Sequence, residues 1–169
     1  SEVNFNNKLK QKIIDYFLKK FNSIIAVSNF TKSIVEKRGI KNVNVIHNGY
    51  NIEEPNFEHN IQISGFPKLI TVGSMSNRKG QKNVIKSLPY LKKFYKNIHY
   101  TIVGKPYIKN ELVELASELN VLDNVSFYES ANEQEKISLL MKSDIFIMMS
   151  EMTESGDVEG FGIAIIEAN

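Results

Sequence analysis

The chain has no cysteine, which excludes a disulfide scaffold and a thiolate zinc site and suits a reducing compartment. It also lacks any apolar run near the ~20 residues of a membrane span, and no signal-peptide pattern precedes the first helix-like segment. A soluble, cytoplasmic chain is the expectation. Neither sign of charge dominates: 21 basic residues against 19 acidic ones leave +2, so neither nucleic acid nor an acidic macromolecule is expected as a partner. Histidine is scarce, and His47, His59 and His99 have no spacing that would bring two onto one metal, so no metal site is expected. Internal repeats and low-complexity segments are absent. What is present is 169 residues with 42% hydrophobic content, enough for one domain of ordinary size or for a domain plus a piece of another.

Apolar residues between positions 5 and 21 (Phe5, Leu9, Ile13, Ile14, Phe17, Leu18, Phe21) recur at three- and four-residue steps, which predicts an amphipathic helix. Its lysines, Lys8, Lys10, Lys12, Lys19 and Lys20, leave open a peripheral contact with anionic lipid on the inner membrane face. A helix packed on its own domain explains the same pattern. Residues 23–28 read as a short buried strand, 31–38 as a helix ended by Gly39, 43–46 as extended, and His47-Asn48-Gly49 as a turn. From 68 onward apolar runs at 69–72, 100–103, 125–128 and 145–149 alternate with helix-period segments at 81–95, 110–119 and 133–141. Pro89 should kink or end the first of these helices, because it has no N–H to donate. Unbroken apolar strands separated by helices predict an α/β, Rossmann-like, doubly wound parallel sheet. Domains are accordingly expected at 1–50, a helix-strand-helix piece, and at 68–169, with 51–67 as a linker.

Ligands of such sheets bind beyond the carboxyl ends of the strands, and the chemistry-bearing residues fall there. The loop Gly73-Ser74-Met75-Ser76-Asn77-Arg78-Lys79-Gly80 follows the first strand of the sheet. Arg78 can grip phosphate oxygens bidentately, Lys79 adds a compact charge, and Gly80 lets the backbone approach. Gly104 follows the second strand and Glu129-Ser130 the third. After the fourth comes Glu159-Gly160-Phe161-Gly162-Ile163, with Glu167 further on. Gly162 opens an apolar run that reads as a helix start, whose free N–H groups suit a phosphate. At ~1.5 Å per residue Glu167 lies about 7–8 Å along that helix, while Glu159 stays in the loop before it. A ligand with a diphosphate in the middle and a sugar at each end would match two such acids. Glu151, Glu154 and Asp157 are read as solvated loop charges rather than ligands of a divalent ion.

Glu159 and Glu167 around Gly160-Phe161-Gly162 resemble the paired-glutamate motif of the family-four (group 1) retaining glycosyltransferases, which use nucleotide-sugar donors. Ala26-Val27-Ser28, Val45-Ile46-His47-Asn48-Gly49-Tyr50, the 122–128 step and the 143–150 strand are also similar to that family in order and spacing. The resemblance covers roughly residues 20 to 169. It implies the C-terminal, donor-binding half of a GT-B fold, truncated inside a helix before the closing strands of that domain and preceded by the end of the acceptor-side domain. It further implies metal-independent transfer of a hexose from a nucleoside-diphosphate sugar to an acceptor, with retained anomeric configuration and no cofactor. Glu159 would approach the hexose and Glu167 the ribose. The backbone at Phe161, Gly162 and Ile163 would face the diphosphate, Glu129-Ser130 would lie near the base, and Arg78 and Lys79 would stabilise the leaving group beside Gly73 and Gly104. Ser74 stands where the family has an arginine, so either Arg78 supplies the guanidinium or the donor is held more weakly. Epimerases and phosphorolytic enzymes of the same architecture, and a non-catalytic nucleotide-binding module, remain alternatives. Because the resemblance implies missing parts of the same chain, this piece is expected to bind donor weakly at most and not to complete transfer unaided.

Overall fold

A computed structural model of the chain describes residues 8–49, 61–153 and 158–169. The predicted start of the first helix at Phe5, most of the predicted linker, and Glu154 and Asp157 therefore lie outside the described residues. Two compact units form, one from Ser1–Asn51 with Met152–Ile163 and the other from Ile52–Glu151 with Ala164–Asn169.

In the first unit, helix α1 (Lys8–Leu18), strand β1 (Ile24–Ala26), helix α2 (Asn29–Glu36) and strand β2 (Val43–Val45) follow in order. The strands pair in parallel, Ile24 opposite Val43 and Ala26 opposite Val45. Ala26, Val35, Ile40 and Val43 make a small core against which Leu18 and Ile24 pack. Ser28 starts α2, its hydroxyl accepting the Thr31 N–H at 3.1 Å, so the helix begins two residues before the apolar period suggests. Arg38 binds Asp15 of α1, with Nε 2.9 Å from Oδ1, and ties the two helices together. No turn is present at the expected position 47–49, where the His47 Nδ1 lies 3.0 Å from the Val27 carbonyl oxygen.

The second unit carries β3 (Lys68–Val72), α3 (Gln81–Leu91), β4 (His99–Val103), α4 (Lys109–Glu118), β5 (Val125–Tyr128), α5 (Glu133–Met141), β6 (Ile145–Phe146) and α6 (Ile163–Glu167), the last opening at its border. Its sheet is wholly parallel in the order β5-β4-β3-β6. Successive side chains of a strand point to opposite faces, and the apolar residues sort accordingly. Leu69, Tyr100 and Ile102 join Val84, Ile85 and Leu88 of α3 and Leu112 and Ala116 of α4 on one face. Ile70, Val72 and Val103 meet Leu139 of α5 and Ala164 of α6 on the other. This is the expected doubly wound α/β sheet.

Two boundaries differ from expectation. Helix α3 stops at Leu91 rather than at 95, with Pro89 inside its last turn. The proline withholds a bond only from the carbonyl four residues before it, and the chain after Leu91 tightens into turns, the Phe94 and Tyr95 N–H groups both donating to the Leu91 carbonyl at 3.0 and 2.9 Å. Strand β6 pairs over two residues rather than five. Beyond it the Ile147 carbonyl accepts the Thr71 hydroxyl at 2.7 Å, and a side chain there replaces the strand's backbone partner. Thr71 in turn accepts the fully buried Tyr100 hydroxyl at 2.8 Å. One polar chain thus crosses β4, β3 and the end of β6 inside the core.

Candidate functional site

The chain runs outward from β3 to β4 and β5, then returns through α5 to lay β6 on the other side of β3. That reversal opens a crevice at the carboxyl ends of β3 and β6, and the loop after β3 is built for it. Gly73 and Gly104 follow paired strand ends with φ of +145° and +146°, a region that a side chain rarely adopts. A Cβ on Gly104 would stand 2.3 Å from the Gly73 carbonyl oxygen, so the two backbones are in direct contact. The Gly73 N–H donates to Val103 at 2.8 Å and the Gly104 N–H to Tyr128 at 2.9 Å. A rim of bare peptide results.

Lys79 lies on this rim. A Cβ on Gly73 would meet its Cε at 3.1 Å and its Nζ at 3.4 Å, so the stem of the lysine is folded back over the glycine. Residues Asn77–Lys79 form a 3-10 turn closed by Gly80 at φ +70°. A Cβ on Gly80 would fall 1.8 Å from the Met149 carbonyl oxygen, and the Arg78 carbonyl accepts the Glu151 N–H at 2.9 Å. The cationic loop is therefore clamped by its backbone to the segment after β6. Ser74 has its carbonyl bound by the side chain of Gln81 at 3.0 Å, while the other end of that amide receives the Ser76 N–H at 3.4 Å. Gln81 is 1% exposed. Sequence reasoning missed this brace; its only signal was an amide directly after Gly80, at the start of a helix.

Glu129 and Ser130 follow β5, and Glu129 is ion-paired with Lys109 at the start of α4. Lys109 also lies 5.8 Å from the centre of the Phe127 ring. Beside this pair is a surface hollow of about 420 Å³ lined by Pro106, Tyr107, Lys109, Asn110, Glu111 and Glu129. Glu167 ends α6, and its Oε1 is 3.0 Å from the Lys136 ammonium, which also reaches Glu133 at 2.6 Å. Burial pulls the Lys136 pKa down, but hydrogen bonds and charge from Glu133 and Glu167 outweigh it, and the net shift is upward. Gly73, Ser74, Arg78, Lys79, Gly104, Glu129, Ser130 and Glu167 thus all belong to the second unit.

Glu159, Gly160, Phe161, Gly162 and Ile163 belong to the first. There the Gly160 carbonyl accepts the Ser28 hydroxyl at 2.6 Å and the Thr31 hydroxyl at 3.2 Å, so the residue that caps α2 also holds the loop after Glu159. Phe161 stacks on His47, ring centres 5.7 Å apart and planes 30° from parallel. Gly162, at φ +76°, turns the chain into α6, which starts where the apolar run predicts. Among the described residues no three His, Asp or Glu side chains gather as a metal would require, and no helix is long and apolar enough to cross a membrane.

Residues 52–169 match the family model described as glycosyl transferases group 1. A GDP-mannose-dependent alpha-(1-6)-phosphatidylinositol monomannoside mannosyltransferase of Mycolicibacterium smegmatis is 32% identical over 105 residues, covering 61% of this chain and 27% of that protein. An uncharacterised glycosyltransferase of Methanocaldococcus jannaschii is 29% identical over 165 residues, covering 90% of this chain and 38% of that one. The chain thus spans well under half the length of these relatives. Among solved structures, Anabaena HepE in complex with UDP and glucose superposes with a TM-score of 0.75 at 19% identity, over 96% of this chain and 46% of that one. Staphylococcus aureus TarM gives 0.74 at 17% identity, over 98% and 33%. The fold is that of the GT-B glycosyltransferases.

Proposed function

Because the chain belongs to the group 1 glycosyl transferases, we propose that it is the donor-binding part of an enzyme that moves a hexose from a nucleoside-diphosphate sugar to an acceptor with retained anomeric configuration. The observation that carries this reading is the placement of Lys79: a cation folded over a bare glycine rim, at the carboxyl end of a parallel sheet, where the strand order reverses. Charge builds on the diphosphate as the glycosidic bond breaks. A fixed ammonium and backbone N–H groups stabilise it without reorganising during the reaction. Arg78, on the same clamped turn, adds a guanidinium where Ser74 offers none. In this reading Glu167 accepts ribose hydroxyls, Glu159 orients the hexose, the backbone at Phe161, Gly162 and Ile163 faces the phosphates, and the hollow beside Glu129 and Ser130 takes the base. Neither glutamate is assigned as a covalent nucleophile, because the two serve two ends of one ligand rather than one scissile bond.

Residues 68–169 would then be the nucleotide-sugar domain and 1–50 the end of the acceptor-side domain, working in the cytoplasm on an acceptor still to be identified. Relatives that use GDP-mannose and structural neighbours solved with UDP make the base the first thing to determine. The test is calorimetric titration of the protein with UDP, GDP and ADP, repeated on Lys79→Met. One nucleotide should bind, and loss of a charge-assisted contact of ~1.5–3 kcal/mol should weaken it about 10- to 150-fold. Binding that is unaffected by the substitution, or absent for all three nucleotides, would overturn the reading.

A further inference from the structure

Glu167 does not stand alone. Its carboxylate is 12% exposed and the Lys136 ammonium that meets it is 13% exposed, so this is a largely dry ion pair between α5 and α6, not a surface contact. Its geometry is set from both ends. On α5, Asn132 and Glu135 close a reciprocal capping box, with the Glu135 N–H 2.9 Å from Asn132 Oδ1 and the Asn132 N–H 2.8 Å from Glu135 Oε2. Lys136 follows directly in the locked first turn, its own N–H bound to the Asn132 carbonyl at 2.9 Å. Leu139, three residues on, is fully buried in the same core cluster as Ala164 of α6, and Glu167 comes three residues after Ala164. A step of three residues on a helix returns to nearly the same face. The packing that joins α5 to α6 therefore brings Lys136 and Glu167 together one turn away.

We propose that Lys136 is the positioning residue for Glu167, holding its carboxylate in one orientation so that it can accept a pair of ribose hydroxyls. This rests on the ribose role given to Glu167 above. The ammonium meets Oε1, and a carboxylate has about four lone-pair sites, so Oε2 and the rest of Oε1 can still accept from a ligand. Without the cation, a nearly buried carboxylate must rotate toward water for a partner, and that change spoils a two-hydroxyl acceptor. Glu133, 47% exposed on its side chain, gives the ammonium a second partner and holds it in place when the ligand draws on Glu167.

The experiment compares a nucleoside diphosphate with its 2′,3′-dideoxy analogue, titrated against the wild type, Glu167→Gln, Lys136→Met and Lys136→Arg. The wild type should prefer the ribo form, and Glu167→Gln should abolish most of that preference. Lys136→Met should reduce it by about 10- to 150-fold, the size of one charged hydrogen bond lost or misplaced, while affinity for the dideoxy form changes less than about twofold. Lys136→Arg, which keeps the cation, should restore most of the preference. Should methionine cost the fold, Lys136→Gln carries the same expectation, and binding of the dideoxy form reports that the protein is intact. If Lys136→Met weakens both nucleotides equally while Glu167→Gln abolishes the preference, Lys136 is structural and the proposal fails. If Glu167→Gln keeps the preference, the ribose role itself is wrong.

Discussion

Gly73 and Gly104 offer a controlled comparison, because both have φ near +145° and differ in what an added methyl would meet. Alanine at either position costs ~1–3 kcal/mol for its backbone conformation alone. At Gly104 the new Cβ would also stand 2.3 Å from the Gly73 carbonyl oxygen and 2.6 Å from its carbon. Those are backbone atoms of the neighbouring strand end and can move only by shifting the sheet, a further ~1–3 kcal/mol of overpacking. At Gly73 the nearest atom is Lys79 Cε at 3.1 Å, the far end of a flexible chain that can swing aside at little cost in stability. Gly104→Ala should therefore be the less stable protein by ~1–3 kcal/mol, a shift of roughly 1 M in urea midpoint at an ordinary denaturant slope. Gly73→Ala should keep more of its stability yet bind nucleoside diphosphate about tenfold more weakly, since its methyl occupies the place of the lysine stem; that loss is ~1.4 kcal/mol of binding. Urea melts of both variants followed by nucleotide titration of the folded ones decide the matter. Equal midpoints, or full nucleotide affinity in Gly73→Ala, would refute the account of the rim.

The buried polar chain makes a second prediction: Thr71→Val should destabilise more than Tyr100→Phe. The phenylalanine removes one hydrogen bond of ~0.5–1.5 kcal/mol, whereas valine strands both the Tyr100 hydroxyl and the Ile147 carbonyl at ~1–3 kcal/mol each; the opposite order in urea melts would disprove it. His99 makes a third. Burial lowers its pKa from 6.5, and its Nε2 lies 2.9 Å from the Ser126 hydroxyl. The unfolded chain therefore binds the proton more readily, so the histidine's share of stability is intact above pH ~6.5 and declines as pH falls through that value. The drop in urea midpoint between about pH 7.5 and about pH 5.5 should be smaller in His99→Gln than in the wild type, and an equal drop would count against this assignment.

The alternation of apolar runs with helix-period segments from residue 68 was enough to predict a parallel, doubly wound sheet. A strand buried on both faces must be apolar along its whole length, and a crossover helix must repeat at about 3.6 residues. Boundaries were less legible wherever a side chain took over a backbone role: Ser28 starting α2 early, Thr71 ending β6 after two paired residues. The cationic loop could be read from Arg78, Lys79 and Gly80, because glycine and charge after a strand leave a mark in the sequence itself.

Gln81, Lys109 and Lys136 left no such mark. Lys136 is 31 residues from Glu167, and nothing in the spacing of either foretells that Leu139 and Ala164 will pack together and bring the pair into contact. By itself the sequence determined the kind of sheet and marked the loops at its carboxyl end as candidates to meet a phosphate or a sugar, because these follow from local period and residue type. Only the tertiary structure decided which of those residues are held, and by what. The Gly73–Gly104 contact and the Lys136–Glu167 pair each join segments that become neighbours only when the sheet buries its two faces, and the Gln81 brace, though local, depends on how the loop after β3 folds back on itself.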